Sequence, residues 1–344
     1  MSRDANEQPS ADRVDRTAGN RANLPRAVGV RRAIIVLGIC AVAIPGCASP
    51  ERPEQGLPLA GPNPQIVTSA PPAALSPTAY QEKLRSAGAA VGPVFDRLAA
   101  AGSAEAAATE LTQASTAALD AERLLNVAPP PEALAVHRDL LAGLRQLATD
   151  LSQLSGQVTS MELCAAPSIL AAVSNAAGVD SLRTVRADLG SGRLGTSYQW
   201  GEFLPAATPL PDRQLANGRL LDSQRRNGRG QLKIDNDTEH DAVVKLVRGG
   251  TPIISIYVSK RSKATVEKID DGSYELFYTS GMDWDDQLET FTRSCQFERF
   301  DEPADFTTTS ITGGIQYTIM SIGLLPRIDG NALTTPVPFE SFPK

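Results

Sequence analysis

Residues 230–259 read GQLKIDNDTEHDAVVKLVRGGTPIISIYVS and decide the fold of the C-terminal half of the chain. In this stretch β-branched and other apolar residues recur about every second position within three short runs, which is the pattern of strands that bury one face. Acidic residues separate the first two runs, and Gly249-Gly250 separates the second from the third. The stretch therefore predicts consecutive antiparallel strands joined by short turns.

Eight such runs follow one another in the C-terminal part of the chain. They are Gln231–Asp235, Ala242–Val247, Ile253–Ser259, Ala264–Glu267, Tyr274–Thr279, Gln296–Phe300, Phe306–Ser310 and Gln316–Leu324. Turn residues such as Asp271-Gly272 and Gly313-Gly314 lie between them. Many short strands at this spacing predict an antiparallel β-sandwich, which we place over residues 229–344 with a C-terminal extension.

The chain before residue 191 has a different composition, because of its 17 aromatic residues only Tyr80 and Phe95 precede residue 198. Apolar residues there recur at steps of three and four positions, which predicts amphipathic helices. Three stripes run from Tyr80 to Phe95, from Ala107 to Leu125 and from Ala133 to Leu154. We expect an antiparallel helical bundle over 78–190, with a fourth, shorter helix near 167–177, one more turn near 182–189, and a connection over 191–228. The predicted fold class is α+β with two domains.

The first residues of the chain are typical of an export signal rather than of a folded body. Arg31-Arg32 precedes the apolar run AIIVLGICAVAI at residues 33–44, which is short for a membrane span. The sequence Ile44-Pro45-Gly46-Cys47 that follows is similar to the bacterial lipobox, although Pro45 is unusual there. The resemblance implies that residues 1–46 are a lipoprotein signal peptide and that Cys47 carries the lipid. Residues 47–77, which are rich in proline, would then be a tether.

The charge of the chain and its number of cysteines restrict the functions that it can have. Without residues 1–46 the chain has 26 basic and 35 acidic side chains, a formal charge of -9, which argues against nucleic acid as a partner. With Cys40 in the signal and Cys47 lipidated, Cys164 and Cys295 remain. An oxidising destination favours a disulfide between them, with two free thiols as the alternative. Two cysteines and two scattered histidines match no zinc spacing, and we expect no metal and no cofactor.

The most distinctive polar and aromatic cluster is Asp283-Trp284-Asp285-Asp286. A tryptophan among carboxylates suits a binding loop at the tip of a sandwich. The alternative is a loop whose indole packs back on the protein with its N–H satisfied. Both hypotheses stay open on the sequence.

Three other patterns lack the context that their chemistry needs. Residues 190–195, GSGRLG, match the letters of a dinucleotide loop but follow a predicted helix instead of a strand. The alternating acids of 235–241 lack the glycine and the terminal glutamate of a calcium loop. His240 lies beside these acids without a nucleophile elbow, and His137 lies on an apolar stripe, where a core residue is the simpler interpretation.

From about Trp200 onward the sequence resembles a module of uncharacterised secreted or membrane-anchored proteins, chiefly actinobacterial. The stretches that carry the resemblance are LPDRQLANGRL, GQLKIDNDTEHDAVVKLV, SIYVSKRSKATVEKIDDGSYELFYTSGMDWD, FTRSCQFERFDEPADF and GNALTTPVPFESFP. No activity comes with this resemblance. The piece TVEKIDDGSYELFY is also similar to strand-turn-strand units of prealbumin-like and immunoglobulin-like sandwiches.

These observations together predict a protein anchored by lipid on the extracytoplasmic face of the cell membrane. Its role would be binding or structural, without enzyme activity, and its partner an unknown protein or envelope component. One alternative is an extracytoplasmic hydrolase that uses His240 and nearby acids. Another is a carrier that holds an apolar ligand in a groove of the helical bundle.

Overall fold

The structure, a computed structural model, describes residues 73–224, 226–324 and 333–344. The predicted signal peptide, the predicted lipidation site Cys47 and most of the predicted tether lie outside the described residues. Thr68–Lys344 forms one compact unit, to which all the elements below belong.

Five α-helices occupy the first part of the described chain. They are α1 Pro77–Ala99, α2 Ala104–Leu124, α3 Leu134–Thr159, α4 Ala166–Ser174 and α5 Ala177–Gly190. Ser76 and Ser103 cap α1 and α2, since each side-chain oxygen accepts a hydrogen bond from a backbone N–H in the first turn. None of the described helices has the length and hydropathy that a bilayer span requires.

The predicted stripes form the helical core. Every stripe residue from Tyr80 to Leu151 is buried, and Leu154 is half-buried at the margin. Helix α5 approaches α3 so closely that a Cβ atom on Gly178 would lie 2.3 Å from the backbone nitrogen of Leu147. Glycine is therefore required at this crossing, and we expect no side chain to be tolerated there.

Twelve strands make up the rest of the described fold. They are β1 Leu220–Ser223, β2 Gly230–Asn236, β3 Asp241–Arg248, β4 Thr251–Val258, β5 Ser262–Ile269, β6 Gly272–Asp285, β7 Thr290–Phe300, β8 Ala304–Phe306, β9 Thr308–Ile311, β10 Gly314–Tyr317, β11 Ile319–Gly323 and β12 Thr334–Pro336. The mixed α+β class is thereby confirmed. Strand β1 lies within the predicted connection 191–228.

The strands form three sheets. The largest has the order β1-β4-β3-β6-β7-β12, and β8 adds to the start of β6. A second has the order β11-β2-β5, and β9 and β10 form a hairpin of their own. All pairs are antiparallel except β11 with β2, which is parallel, so the expectation of purely antiparallel pairing is wrong at this edge. A parallel neighbour needs a long connection, and the chain between β2 and β11 is more than 80 residues long.

The largest sheet has an apolar layer on each face. One layer contains Leu246, Ile256 and Tyr278 together with residues of the second sheet, including Leu232 and Val266. The other contains Tyr257, Trp284, Phe291 and Phe342. Residues of the loop after α3 and of the C-terminal segment cover this second layer, hereafter the outer face.

Candidate functional site

The predicted binding loop lies in a strand. Strand β6 extends through Asp285 and pairs with β7, so that Trp284 faces Phe291 across the ladder. Asp283, Trp284 and Asp285 are buried, and only Asp286 is exposed in the turn that follows. The expectation of a loop at 283–286 is therefore wrong for three of the four residues.

Arg213 makes this burial of two carboxylates feasible. Its Nε and Nη2 atoms donate to the two carboxylate oxygens of Asp283 at 2.8 and 2.7 Å, and its Nη1 atom donates to Asp285 at 2.7 Å. The backbone N–H of Arg213 adds a bond of 2.8 Å to Asp283, and the hydroxyl of Thr292 donates to the same side chain. A planar guanidinium suits such paired acceptors. The cluster fixes the segment around Arg213 on the end of the sheet.

The protonation of the two acids follows from these contacts. Burial alone raises the pKa of Asp283, but the hydrogen bonds from Arg213 and Thr292 outweigh it, so the pKa is lowered overall. Burial also raises the pKa of Asp285, and bonds from the Leu288 backbone, from Arg213 and from the Gln287 backbone more than compensate. Both acids are therefore ionised and fully engaged at neutral pH.

The indole of Trp284 is part of the outer face. It lies edge-on to the rings of Tyr257 and Phe291, with centroid distances of 6.5 and 5.1 Å. Its Nε1–H donates to Asp286 at 2.8 Å. The arrangement agrees with the hypothesis that the indole packs back on the protein with its N–H satisfied.

A disulfide joins Cys164, after α3, to Cys295 on β7. Main-chain hydrogen bonds surround it: Cys164 N–H donates to Thr292 at 2.8 Å, and Cys295 N–H donates to Met161 at 2.9 Å. The buried hydroxyl of Ser168 on α4 also donates to the Thr292 carbonyl, at 2.6 Å. The helices are thus held on the edge of β7 by a covalent bond and a short ladder.

The two histidines lie in different environments. His137 is buried in the helical core, and its Nδ1 lies 3.0 Å from the hydroxyl of Tyr80. Burial lowers the pKa of His137. His240 lies in the turn between β2 and β3, where only its backbone makes hydrogen bonds to the described residues. No serine hydroxyl among the described residues bonds its ring.

The acids of 235–241 make contacts within the protein, and the glycines of 190–195 form a turn. Asp235 pairs with Lys263 at 2.5 Å, and Asp241 accepts the Lys260 N–H at 2.8 Å. No group of three or more metal-ligating side chains occurs in the ranges that the structure describes. The glycine motif begins at the last residue of α5 and forms the turn that follows, so it comes after a helix and not after a strand.

An exposed hairpin, β9–β10, is a feature that sequence patterns did not single out. Its two strands are joined by Thr312-Gly313, with φ of +89° at Gly313. Its base is fixed, because the Asp271 carboxylate accepts the N–H and hydroxyl of Thr308 at 3.0 and 2.8 Å. The available signal was charge: residues 306–326 contain no acidic or basic side chain, in a chain that is 21% charged.

The hairpin leaves large apolar side chains in solvent. On β10 Ile315 is 46% exposed and Tyr317 39%, and Ile319 at the start of β11 is 48% exposed. In the described part of the chain β10 pairs only with β9, so its second edge is unpaired. Edge strands usually carry charge or proline against unwanted pairing, and this one carries neither.

A polar cluster at the centre of the outer face is a second such feature. Lys245 on β3 lies directly across from Ser255 on β4, and Thr279 of β6 lies diagonally from Lys245 on the same face. We call these three residues the Lys245 cluster; all are buried. A lysine in the middle of AVVKLV was the only sequence signal.

The Lys245 ammonium has identifiable neighbours. Its Nζ donates to the carbonyl of Pro343 at 2.8 Å and lies 5.5 Å from the centre of the Phe342 ring. Burial lowers the pKa of Lys245, while the nearby charges of Glu289 and Asp222 act in the opposite direction. The hydroxyls of Ser255 and Thr279 have no hydrogen-bond partner among the residues that the structure describes.

Lys245 lines two cavities. One, of about 200 Å³, is bounded by Arg219, Asp222, Ser255, Trp284 and Glu289 among others. The other, of about 40 Å³, is bounded by Thr279, Thr290 and the C-terminal residues Phe342, Pro343 and Lys344. A further cavity of about 760 Å³ lies beside α5, where Arg183, Arg186 and Glu202 accompany Trp200 and Leu204. This mixed lining differs from the apolar groove that a carrier for an apolar ligand requires.

Comparison with known proteins identified no relative: no family model, no curated protein and no solved structure matches the chain. The function therefore has to be argued from the residues themselves.

Proposed function

We propose that the protein is a lipid-anchored binding module on the extracytoplasmic face of the cell membrane. The lipid on Cys47 holds it there, and the helical bundle and a mainly antiparallel β-sandwich of prealbumin-like or immunoglobulin-like type form its folded body. Its activity is association with an envelope protein.

The observation that carries this proposal is the disulfide between Cys164 and Cys295. Disulfides persist in oxidising compartments outside the cytoplasm. Its position between the helices and β7 makes one rigid body of two parts that have separate apolar cores. A rigid body on a tether suits the presentation of a surface better than it suits a catalytic cycle that needs closure.

The anchor predicts a specific defect. Replacing Cys47→Ala in the full chain removes the only proposed lipidation site, and because two acyl chains are needed for stable retention, the protein should move to the soluble or secreted fraction. Membrane fractionation of cells, with detection of the protein by immunoblot, measures this. Cys40→Ala is the matched control and should leave the protein in the membrane fraction. Retention of the Cys47→Ala protein would exclude the anchor.

The β9–β10 hairpin is the contact surface that this function best explains. An unpaired, uncharged edge with exposed apolar side chains favours a partner that adds a strand, since the backbone supplies the hydrogen bonds and alternate side chains the specificity. The hairpin contains no lysine or arginine of the kind that draws a protein to anionic lipid. A protein partner is therefore favoured over the bilayer surface.

Photo-crosslinking in intact cells tests this surface. A photoreactive residue in place of Ile315 should form one discrete adduct with a different protein. The same residue in place of Leu124, which is similarly exposed on α2, should not form that adduct. Lipid adducts, adducts with a second copy of the chain, or the same adduct at both positions would each contradict a protein partner at β10.

A further inference from the structure

The Lys245 cluster is costly to the fold. Lys245 is 5% exposed and Ser255 1%, on a sheet face that is otherwise covered by apolar and aromatic side chains. Burying a hydroxyl without a partner, or an ammonium with few partners, costs free energy that an apolar residue would not. Where a sequence breaks the local rules of packing in this way, a functional site is the usual reason.

The cluster is also accessible to a small molecule. The cavity of about 200 Å³ has Lys245 and the unpartnered Ser255 hydroxyl in its wall. One donor of the Lys245 ammonium is used by the Pro343 carbonyl, and no other hydrogen bond to a described residue takes the remaining two. Two buried groups that can hold a carboxylate therefore border the same space.

The rest of the lining carries the opposite charge. Arg219 is paired with Asp286 at 3.4 Å, whereas among the described residues no ion pair within 4 Å includes Asp222 or Glu289, whose charges act on Lys245 from a longer distance. These two acids would repel a simple anion, and Lys245 would repel a simple cation. A molecule with both charges, a few bonds apart, satisfies both sides of the cavity.

We propose that this cavity is a binding site for a small zwitterion of the α-amino acid class. The ligand carboxylate accepts hydrogen bonds from Lys245 and Ser255, and the ligand ammonium faces Asp222 and Glu289. The cavity, of about 200 Å³, has room for a molecule as small as glycine or alanine. The site is independent of the lipid anchor and of the hairpin.

The chain itself supplies a precedent for this chemistry. The acceptor that Lys245 now binds is a main-chain carbonyl next to the C-terminal residue, and Lys344 lines the adjoining smaller cavity. A polar backbone group therefore already satisfies part of the ammonium. The carboxylate of a free amino acid in the larger cavity would accept hydrogen bonds from the remaining donors of Lys245 and from the Ser255 hydroxyl.

Isothermal titration of the purified full chain with glycine and with alanine tests the proposal. At least one of the two should bind saturably with a 1:1 stoichiometry, whereas acetate and ethylammonium, which carry one charge each, should bind at least tenfold more weakly. We expect Ser255→Ala to weaken binding about tenfold and Asp222→Asn to weaken it as well, since each removes one bond to a charged group. Lys245→Met should abolish it.

The controls separate loss of the site from loss of the fold. Lys268→Met removes an exposed lysine from β5 and should bind like the natural chain. Thermal unfolding should show Lys245→Met to be folded and no less stable, since an apolar side chain suits this face. No binding by either amino acid, equal binding of acetate, or binding unchanged by both Ser255→Ala and Lys245→Met would overturn the proposal.

Discussion

Replacing Cys164 and Cys295 together by serine is expected to lower the free energy of unfolding by about 5 kcal/mol. The cross-link closes a loop with a sequence separation of 131 residues, and the chain-entropy relation gives about this value for such a loop. The loss is large compared with the 5–15 kcal/mol that stabilises a typical domain. We expect the variant to be close to unfolding at 37 °C.

Two probes sharpen this experiment, because the helices and the sheets have separate apolar cores. With Trp200, which lies in the helical core, replaced by phenylalanine in every protein compared, far-ultraviolet circular dichroism during urea unfolding reports mainly the helices, and fluorescence reports Trp284 in the sheet. In the natural chain the two transitions should coincide; in the variant they should separate, with the less stable part unfolding first. The natural chain with its disulfide reduced is the control and should behave like the variant. An unchanged midpoint in both would show that the cross-link contributes nothing.

The helices were predictable from local pattern alone. Each stripe repeats at three and four residues, and residues such as Tyr80, Leu111 and Leu144 are buried as that spacing requires. The sequence also predicts that the second helix ends before Pro129-Pro130-Pro131, because proline interrupts a helix. Helix α5 was placed less well, because only a turn near 182–189 was expected and the helix spans Ala177–Gly190. Its second residue, Gly178, is a poor helix former that the close approach of α3 requires.

The ends of the long strands were not predictable in the same way. Polar residues from Asp283 to Asp286 are typical of a turn, and nothing nearby in sequence neutralises them. The residue that does so, Arg213, is 70 positions away, so that only the tertiary structure brings the charges together. A local rule that assigns aspartate to loops fails when a distant arginine satisfies both carboxylate oxygens.

The two candidate sites were hidden for opposite reasons. The hairpin consists of residues that each suit a strand, and what is unusual is the absence of charge over 306–326. Lys245 is one charged residue in an apolar strand, where alternation would place it on a solvated face. The C-terminal segment around Phe342 covers that face instead, and this contact joins residues almost 100 positions apart.

Replacing Arg213→Ala is expected to lower the free energy of unfolding by about 3 kcal/mol at neutral pH. The Asp283 side chain is fully buried, and without the guanidinium it becomes a charge with no cation beside it. Such unpaired burial costs about 3–5 kcal/mol, and we take the lower end because the Arg213 side chain is 44% exposed and water can replace part of it. Arg219→Ala, which breaks the exposed pair with Asp286, is the matched control and should cost at most about 1 kcal/mol.

The pH dependence of this difference distinguishes a charge effect from a packing effect. In the natural chain the pKa of Asp283 is lowered, so its contribution is present above the unfolded pKa of about 3.9 and is lost as the pH falls through the folded value. In Arg213→Ala, burial raises the pKa of Asp283 above the unfolded value, so that the penalty disappears as the acid takes up a proton. Urea unfolding of both proteins from pH 7 to pH 4 should therefore show the difference shrinking on acidification. A difference that stays constant over this range would mean that Arg213 stabilises the protein by packing rather than by charge.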